Sequence, residues 1–325
     1  MPAWLLIKLF GSTLTALDEP RKERRMGSRG SPLGGIVFVV LLLLISALRA
    51  EANATVSAPA VPDSLRLYVL DCGSIHVADT ARYELRPDEV ETSELSVACF
   101  LVVHPKGALI WDVGAVPDSE WMPTGETIVH HLSLPDGQTR DITLKRRLGA
   151  QLAEIDYPPP KIRFIALSHY HYDHTANANA FANSTWLVRP VERDAMFAAT
   201  APGTTRPDSY AKLKNANTTL IQADQYDVFG DNSVVIEFAP GHTPGHQMLL
   251  VRLKNTGPVL LSGDLYHFPQ ERALNRFPVF EFDKEQTRRT RTQIEELVNT
   301  TRASLWIQHD FIANSKLRKA PAFYD

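Results

Sequence analysis

Apolar and polar residues alternate along several short segments of the chain, which is the pattern typical of half-buried β-strands. Each segment has the length of an ordinary strand and is too short for a typical helix. The predicted strands cover residues 65–70, 96–103, 108–113, 163–167, 185–188, 234–238, 248–253, 259–262 and 304–307.

Helical periodicity is clearest over residues 284–300, where Ile294 and Leu297 share one face and charged residues lie opposite. This pattern predicts a helix that packs on a sheet through its apolar face. Residues 143–155 and 190–198 are shorter helical candidates.

The predicted strands fall into two groups, one before and one after a histidine-rich segment at residues 168–174. Strands also outnumber helices. This order predicts two sheets packed together with helices outside them, in a single α+β domain of about 260 residues.

The N-terminal part of the chain has the features of a targeting segment. Residues 36–48 are an almost unbroken apolar run, preceded by Arg29 and followed by A-x-A cleavage patterns at 50–52 and 52–54. The run is shorter than the roughly 20 residues that a bilayer span requires. We therefore expect a secreted or periplasmic protein without a stable membrane span in its mature chain, with an uncleaved N-terminal anchor as the alternative.

These features divide the chain into three parts. Residues 1–54 form a signal or targeting segment, residues 55–63 a linker, and residues 64–325 a single folded domain. Met26 is a possible true start, because translation from it leaves a signal of normal proportions.

Composition and charge narrow the range of partners. The 325 residues are 44% hydrophobic with a net charge of -3, so nothing favours nucleic acid as a partner. Export would place Cys72 and Cys99 in an oxidising compartment, where they form either a disulfide or two buried free thiols.

Residues 168–174 carry the pattern H-x-H-x-D-H, which is dense in metal ligands. On an extended segment His169 and His171 point to the same side and can bind one ion together. Asp173 continues that side, and the helix-compatible residues that follow supply the turn that His174 requires. Imidazole and carboxylate ligands together suit zinc.

Three further potential ligands, His242, Asp264 and His309, each follow a predicted strand, as His169 does. Loops at one end of a sheet scaffold are where binding groups converge. We interpret His246 as a hydrogen-bonding or core residue. The remaining histidines singled out, none at ligand spacing, are His76, His104, His130 and His131.

With these motifs in place, the chain resembles the metallo-β-lactamase-fold hydrolases from about residue 65 to residue 310. Residues 68–73, 241–246, 262–264 and 308–310 look most like the N-acyl homoserine lactonase family. The resemblance implies a four-layer αββα sandwich.

The resemblance also implies a dinuclear zinc site, although iron, cobalt or manganese can use the same ligands. One ion would be held by His169, His171 and His242, the other by Asp173, His174 and His309, with Asp264 bridging both. A related lactamase subclass lacks the bridging carboxylate, and hydroxyacylglutathione hydrolases typically add a C-terminal helical region. Only 15 residues follow Asp310 here.

The implied mechanism is attack of a metal-bridging hydroxide on a lactone or ester carbonyl, with Asp173 carrying the proton to the leaving alkoxide. Lactonases of the family place a tyrosine three residues after the bridging aspartate. That position is His267 in this chain, with Tyr266 one residue earlier. Asp173, Tyr266 and His267 are therefore the catalytic candidates.

The resulting hypothesis is an exported dizinc hydrolase that opens a small-molecule ester or lactone of the N-acyl homoserine lactone kind. A β-lactamase, a phosphotriesterase, an iron sulfur-oxygenase and a non-catalytic metal-binding protein are the alternatives. Residues 115–133 and 198–215 are expected to shape the pocket. Candidates for an acyl-chain groove are Pro123, Phe197, Tyr210 and Phe268.

Overall fold

The computed structural model describes residues 65–121, 128–134, 137 and 139–325. The predicted signal segment, the linker, Met26 and Pro123 lie outside the described residues. Within the described ranges, no helix is both long and apolar enough to cross a membrane.

Most strands and helices of the described residues are short, and the longest are two strands of 11 residues each and one helix of 18. The strands are Arg66–His76 (β1), Glu94–His104 (β2), Gly107–Trp111 (β3), Ile128–Ser133 (β4), Thr139–Leu144 (β5), Phe164–Ala166 (β6), Thr185–Val188 (β7), Thr218–Leu220 (β8), Gln225–Asp227 (β9), Val234–Phe238 (β10), Gln247–Leu253 (β11), Gly257–Leu261 (β12), Ser304–Trp306 (β13) and Phe323–Tyr324 (β14). The helices are Leu148–Glu154 (α1), Tyr172–Thr175 (α2), Pro190–Met196 (α3), Pro207–Tyr210 (α4), Pro269–Leu274 (α5), Lys284–Thr301 (α6) and Phe311–Lys316 (α7). Short 3₁₀ turns lie at Thr80–Tyr83, Pro87–Glu89, Pro159–Lys161, Ala178–Phe181 and Ala211–Asn215.

The strands form two sheets. The first has the order β4-β5-β1-β2-β3-β6-β7-β8, with β14 also paired to β1, and the second has the order β13-β12-β11-β10-β9. Strand β6 runs parallel to β3 and β7, and β12 runs parallel to β13. The carboxyl ends of such parallel neighbours meet at one edge of each sheet, where the loops described below are located.

The two sheets pack face to face around an apolar layer. Val69, Phe100 and Trp111 of the first sheet and Ile236 and Leu249 of the second belong to this buried cluster. These side chains stand on the inner faces of their strands, so burying them holds the sheets together.

Helices cover both outer faces of the sandwich. On the first sheet, Leu152 of α1 and Phe181 belong to the same buried cluster as Ile110. On the second sheet, Ile294 of α6 packs in a cluster with Val235. The predicted four-layer αββα sandwich is thus confirmed.

Several predicted elements change at their borders. Helix α6 matches its prediction, whereas the helix predicted over residues 143–155 is wrong in its first half. Thr139–Leu144 pairs with β4 and β1 as strand β5, and α1 begins only at Leu148. The division into two groups of strands is also wrong in detail, because β7 and β8 follow the histidine motif yet join the first sheet.

A disulfide joins Cys72 of β1 to Cys99 of β2, with the two Cα atoms 6.1 Å apart. Both residues are buried. Of the two alternatives that the sequence left open, the structure therefore has the disulfide.

Candidate metal centre

Four strand ends supply the side chains of the site. His169 and His171 follow β6, His242 follows β10, Asp264 follows β12 and His309 follows β13. Because β6 belongs to one sheet and the other three strands to the second, the site spans the rim of the sandwich.

The structure brings all seven predicted ligands together in two adjoining groups. In one group the ligand atoms of His169, His171, His242 and Asp264 lie within 4.8 Å of one another. The second group joins Asp173, His174 and His309 in the same way. All seven side chains are buried.

Asp264 lies between the two groups and presents one oxygen to each. Its Oδ2 is 3.4 Å from Nε2 of both His169 and His242. Its Oδ1 is 3.0 Å from Nε2 of His174 and 3.1 Å from Nε2 of His309. This is the placement that a bridging carboxylate requires.

The donor set fits a pair of divalent ions. Four donor atoms of the site are buried without a hydrogen-bond partner among the described residues: Nε2 of His169, His174 and His309, and Oδ1 of Asp264. Burying an unpaired polar atom costs free energy unless a cation satisfies it. Donors placed 2.0–2.1 Å from a tetrahedral ion are roughly 3.4 Å apart. The separations around Asp264 are close to that value, so the cluster is a candidate dinuclear divalent metal site.

Hydrogen bonds on the far side of the rings keep these nitrogens aimed inward. Nδ1 of His174 is 2.9 Å from Oδ2 of Asp112, and Nδ1 of His309 donates to the backbone carbonyl of Ser96 at 2.7 Å. Nδ1 of His242 faces Oε1 of Glu281 at 3.2 Å. Such contacts fix the tautomer and leave Nε2 free for a metal.

Asp112 and Gln308 form a support that sequence reasoning missed. Asp112 follows β3 in the left-handed region, at φ 55°, and accepts from the amide of Ser168 at 2.6 Å. The side-chain amide of Gln308 donates to Asp112 at 2.9 Å, while its oxygen accepts from Gly263 at 2.9 Å. The signal available in the sequence was a lone carboxylate near the end of the apolar strand predicted over residues 108–113.

His246 supports the site without entering it, as its interpretation from the sequence stated. Its Nδ1 lies 2.8 Å from the carbonyl of Ala239, and its Nε2 accepts from the amide of Asp264 at 2.9 Å. Burial lowers the pKa of His246 to about 4, so the ring is neutral and can accept at Nε2.

Burial and mutual charge set the protonation of the ligands. Burial holds the pKa of His169 and His171 well below the usual value, which favours the neutral imidazoles that bind metal. Burial opposes ionisation of Asp264, but the imidazoles of His174 and His309 outweigh it and keep its pKa well below the usual range.

The structure separates the two remaining catalytic candidates. His267 is buried beside the centre, with Nε2 3.2 Å from Oδ2 of Asp264. Tyr266 is turned away: its hydroxyl is 3.0 Å from Oε1 of Glu295, and the guanidinium of Arg291 lies over its ring. The candidacy of Tyr266 is therefore corrected, because adjacent residues of this segment face opposite ways.

A cavity of about 310 Å³ opens onto the ligands His171, Asp173 and Asp264 and onto His267. Its apolar wall includes Ile75, Leu95 and Phe280, which sequence reasoning did not single out. Its polar lining includes His76, Arg82, Tyr83, Arg140 and Tyr172.

The predicted pocket walls are largely wrong. Of the described residues in 115–133 and 198–215, Thr204 alone lines this cavity. Phe197 and Tyr210 pack together beneath the first sheet with ring centroids 5.7 Å apart, and Phe268 packs on Tyr83 at 5.0 Å. Aromatic side chains of this size often pack in the core, and their spacing in the sequence does not show whether they line the core or a pocket.

Comparison with known proteins agrees with this architecture. Residues 92–303 match the metallo-beta-lactamase superfamily, and the chain belongs to it. The protein is a metal-dependent hydrolase.

Within the superfamily the chain is similar to N-acyl homoserine lactonases. It is 30% identical to N-acyl homoserine lactonase AttM of Agrobacterium fabrum, over 80% of this chain and 98% of the relative. It is 29% identical to AttM of Azorhizobium caulinodans, over 80% of this chain and 99% of that protein.

Solved structures show the same fold. An N-acyl homoserine lactone hydrolase with N-hexanoyl-L-homoserine bound at its catalytic metal centre superposes with a TM-score of 0.65. It is 23% identical, and the match covers 79% of this chain and 98% of that one.

Proposed function

We propose that this protein is an exported, quorum-quenching lactonase that uses two zinc ions to open N-acyl homoserine lactones or closely related esters. The observation that carries the proposal is Asp264, which offers one oxygen to each of two buried ligand groups beside an open cavity. The similarity to proteins named as N-acyl homoserine lactonases supports the substrate class.

In this proposal the two groups of side chains each hold one ion, with Asp264 shared between them. Zinc held there would supply Lewis acidity, which would lower the pKa of a nearby water molecule towards about 7 and polarise an ester carbonyl. The neutral imidazoles of His169 and His171 hold their ion without adding charge, which preserves its Lewis acidity.

Asp173 is proposed to carry a proton as well as to hold an ion. Its Oδ2 is 3.5 Å from Nε2 of His309 and 3.8 Å from Nε2 of His174, and the residue also lines the cavity. A carboxylate in that position can accept a proton from the attacking water and pass it to the alkoxide that leaves when the lactone ring opens.

His267 is proposed to contact the substrate carbonyl. It lines the cavity next to Asp264, and its Nδ1 lies 3.4 Å from Oε1 of Glu271. An N–H aimed at the developing oxyanion stabilises the transition state.

The apolar wall of Ile75, Leu95 and Phe280 is proposed to receive the acyl chain, because an acyl chain gains free energy when it is buried against apolar surface.

Export is proposed from the N-terminal apolar run, and the Cys72–Cys99 disulfide supports it, since disulfides persist in oxidising compartments.

Proton release is the test of the proposal. The zinc-loaded full chain is mixed with N-hexanoyl homoserine lactone, a chromogenic cephalosporin and a phosphotriester in parallel, with and without a chelator. Chelator-sensitive acid release from the lactone alone is the expected result. Turnover of the cephalosporin or the phosphotriester without lactone opening would overturn the substrate assignment.

A further inference from the structure

Glu192 is a buried carboxylate that the proposed reaction does not use. It lies in the first turn of α3 and is 3% exposed. Its Oε1 accepts from the amide of Tyr170 at 2.9 Å, and its Oε2 accepts from the amide of Gly245 at 2.7 Å. The hydroxyl of Thr243 lies 2.9 Å from both oxygens.

These three donors belong to the two segments that carry one set of ligands. Tyr170 lies between His169 and His171, while Thr243 and Gly245 lie in the turn that follows His242. A single carboxylate therefore connects both segments, which are about 70 residues apart in the chain.

The turn that contains Gly245 lies directly against helix α3. A Cβ on Gly245 would be 2.6 Å from Cβ of Glu192 and 2.9 Å from its amide nitrogen, so only glycine fits there. Helix α3 is itself anchored, since Arg189 donates to the carbonyl of Asp224 at 3.1 Å and stacks on Phe238 at 4.6 Å.

We propose that Glu192 is the positioning residue for one metal ion of the pair, the ion held by His169, His171 and His242. This inference rests on the proposed dinuclear site. The two segments that Glu192 connects bring their histidines close together, with Nδ1 of His171 and Nε2 of His242 3.0 Å apart. The other group depends on different supports, Asp112 for His174 and Ser96 for His309.

Glu192→Gln tests the positioning role of Glu192 with little change in the shape of the side chain. A glutamine oxygen can still accept from Tyr170, but its NH₂ group then faces the N–H of Gly245, donor against donor. We expect the affinity for one metal ion to fall about 10–100-fold, as when a supporting hydrogen bond to a ligand is lost, while the other ion is retained.

Cobalt titration of the full chain against a competing chelator, followed by electronic absorption, measures this. The cobalt spectrum left in Glu192→Gln should match that of His171→Ala and differ from that of His309→Ala. Glu237→Gln is the matched control, because Glu237 is also buried, at 5% exposure, but contacts Gln225 instead of the site. It should bind both ions as the unmodified chain does.

Thr243→Val removes one donor and keeps the side-chain shape, so it decides the question if Glu192→Gln does not fold. It should weaken the same ion by a smaller factor. Equal weakening of both ions, or of neither, would overturn the inference. If the unmodified chain itself fails to bind two ions, the proposed dinuclear site falls instead.

Discussion

Tyr266 and His267 are neighbours in the chain but lie in different surroundings. The hydroxyl of Tyr266 is bound to Glu295 on α6, whereas the ring of His267 stacks on His309 with centroids 5.5 Å apart. The contacts of Tyr266 with Glu295 and Arg291 therefore hold its hydroxyl away from the cavity. Of the two neighbours, His267 is the one that lines the cavity.

Replacing His267 by alanine should lower kcat on the lactone about a hundredfold, because one donor to the oxyanion is lost. The chain should still bind two metal ions. Tyr266→Phe should leave kcat unchanged and lower the free energy of unfolding by about 1 kcal/mol, through the lost hydrogen bond to Glu295. Steady-state kinetics and urea unfolding of both variants measure these effects, and the opposite ranking in kcat would contradict the assignment.

The ligands could be predicted from the sequence, whereas their supports could not. H-x-H-x-D-H concentrates four ligands in six residues, and His242, Asp264 and His309 each follow a strand whose apolar pattern is visible. Asp112 and Glu192 act on segments 62 and 51 residues away in the chain. Contacts at such separations depend on how the sheets pack, and no local pattern encodes that.

The turn after β10 fixes His242 against helix α6. Gly241 has φ +135°, and a Cβ there would lie 2.6 Å from Cα of Thr287. The carbonyl of Gly241 accepts from the amide of Asp283 at 2.9 Å, and Asp283 caps α6. Glycine is thus required both for the backbone conformation and for the close approach of the helix.

Gly241→Ala should lower the free energy of unfolding by about 3 kcal/mol or more, because left-handed strain and a clash with backbone add together. Gly230→Ala is the control, since Gly230 also has a positive φ, +75°, but a Cβ there meets nothing within 4 Å. It should lower the free energy of unfolding by only about 1–2 kcal/mol. Equal losses in urea unfolding would show that the clash with α6 is absent.

Strands with an apolar face were predictable, and those without one were missed. Strand β4 carries His130 and His131 in a polar stretch outside the predicted strands, yet it pairs with β5 over six residues. Strands β8 and β9 have three residues each, too few for a period of two to stand out. Such strands form because their backbones pair with a neighbouring strand, which the local sequence pattern does not show.

A disulfide joins strands β1 and β2 of the larger sheet. Cys72 and Cys99 are 27 residues apart, and they are the two cysteines of the chain. Closing a loop of that length stabilises a fold by about 3 kcal/mol, mainly by restricting the unfolded chain. The link also lies in the sheet whose strand β6 leads into the ligand motif.

Reduction with a phosphine, which removes the disulfide without adding thiols that bind zinc, should lower the free energy of unfolding by about 3 kcal/mol. The double variant Cys72→Ala with Cys99→Ala should have the lower stability from the start and should not respond to the reductant. Unchanged unfolding of the native chain after complete reduction would contradict a stabilising role for this link.

In the proposed function, Asp264 joins two ligand groups into one dinuclear centre that opens a lactone. The most direct test is to add zinc stepwise to the metal-free full chain and to record bound ions by native mass spectrometry alongside hydrolysis of N-hexanoyl homoserine lactone. We expect that two ions bind and that full activity requires the second equivalent. Full activity with one ion per chain, or two bound ions without lactone opening, would contradict it.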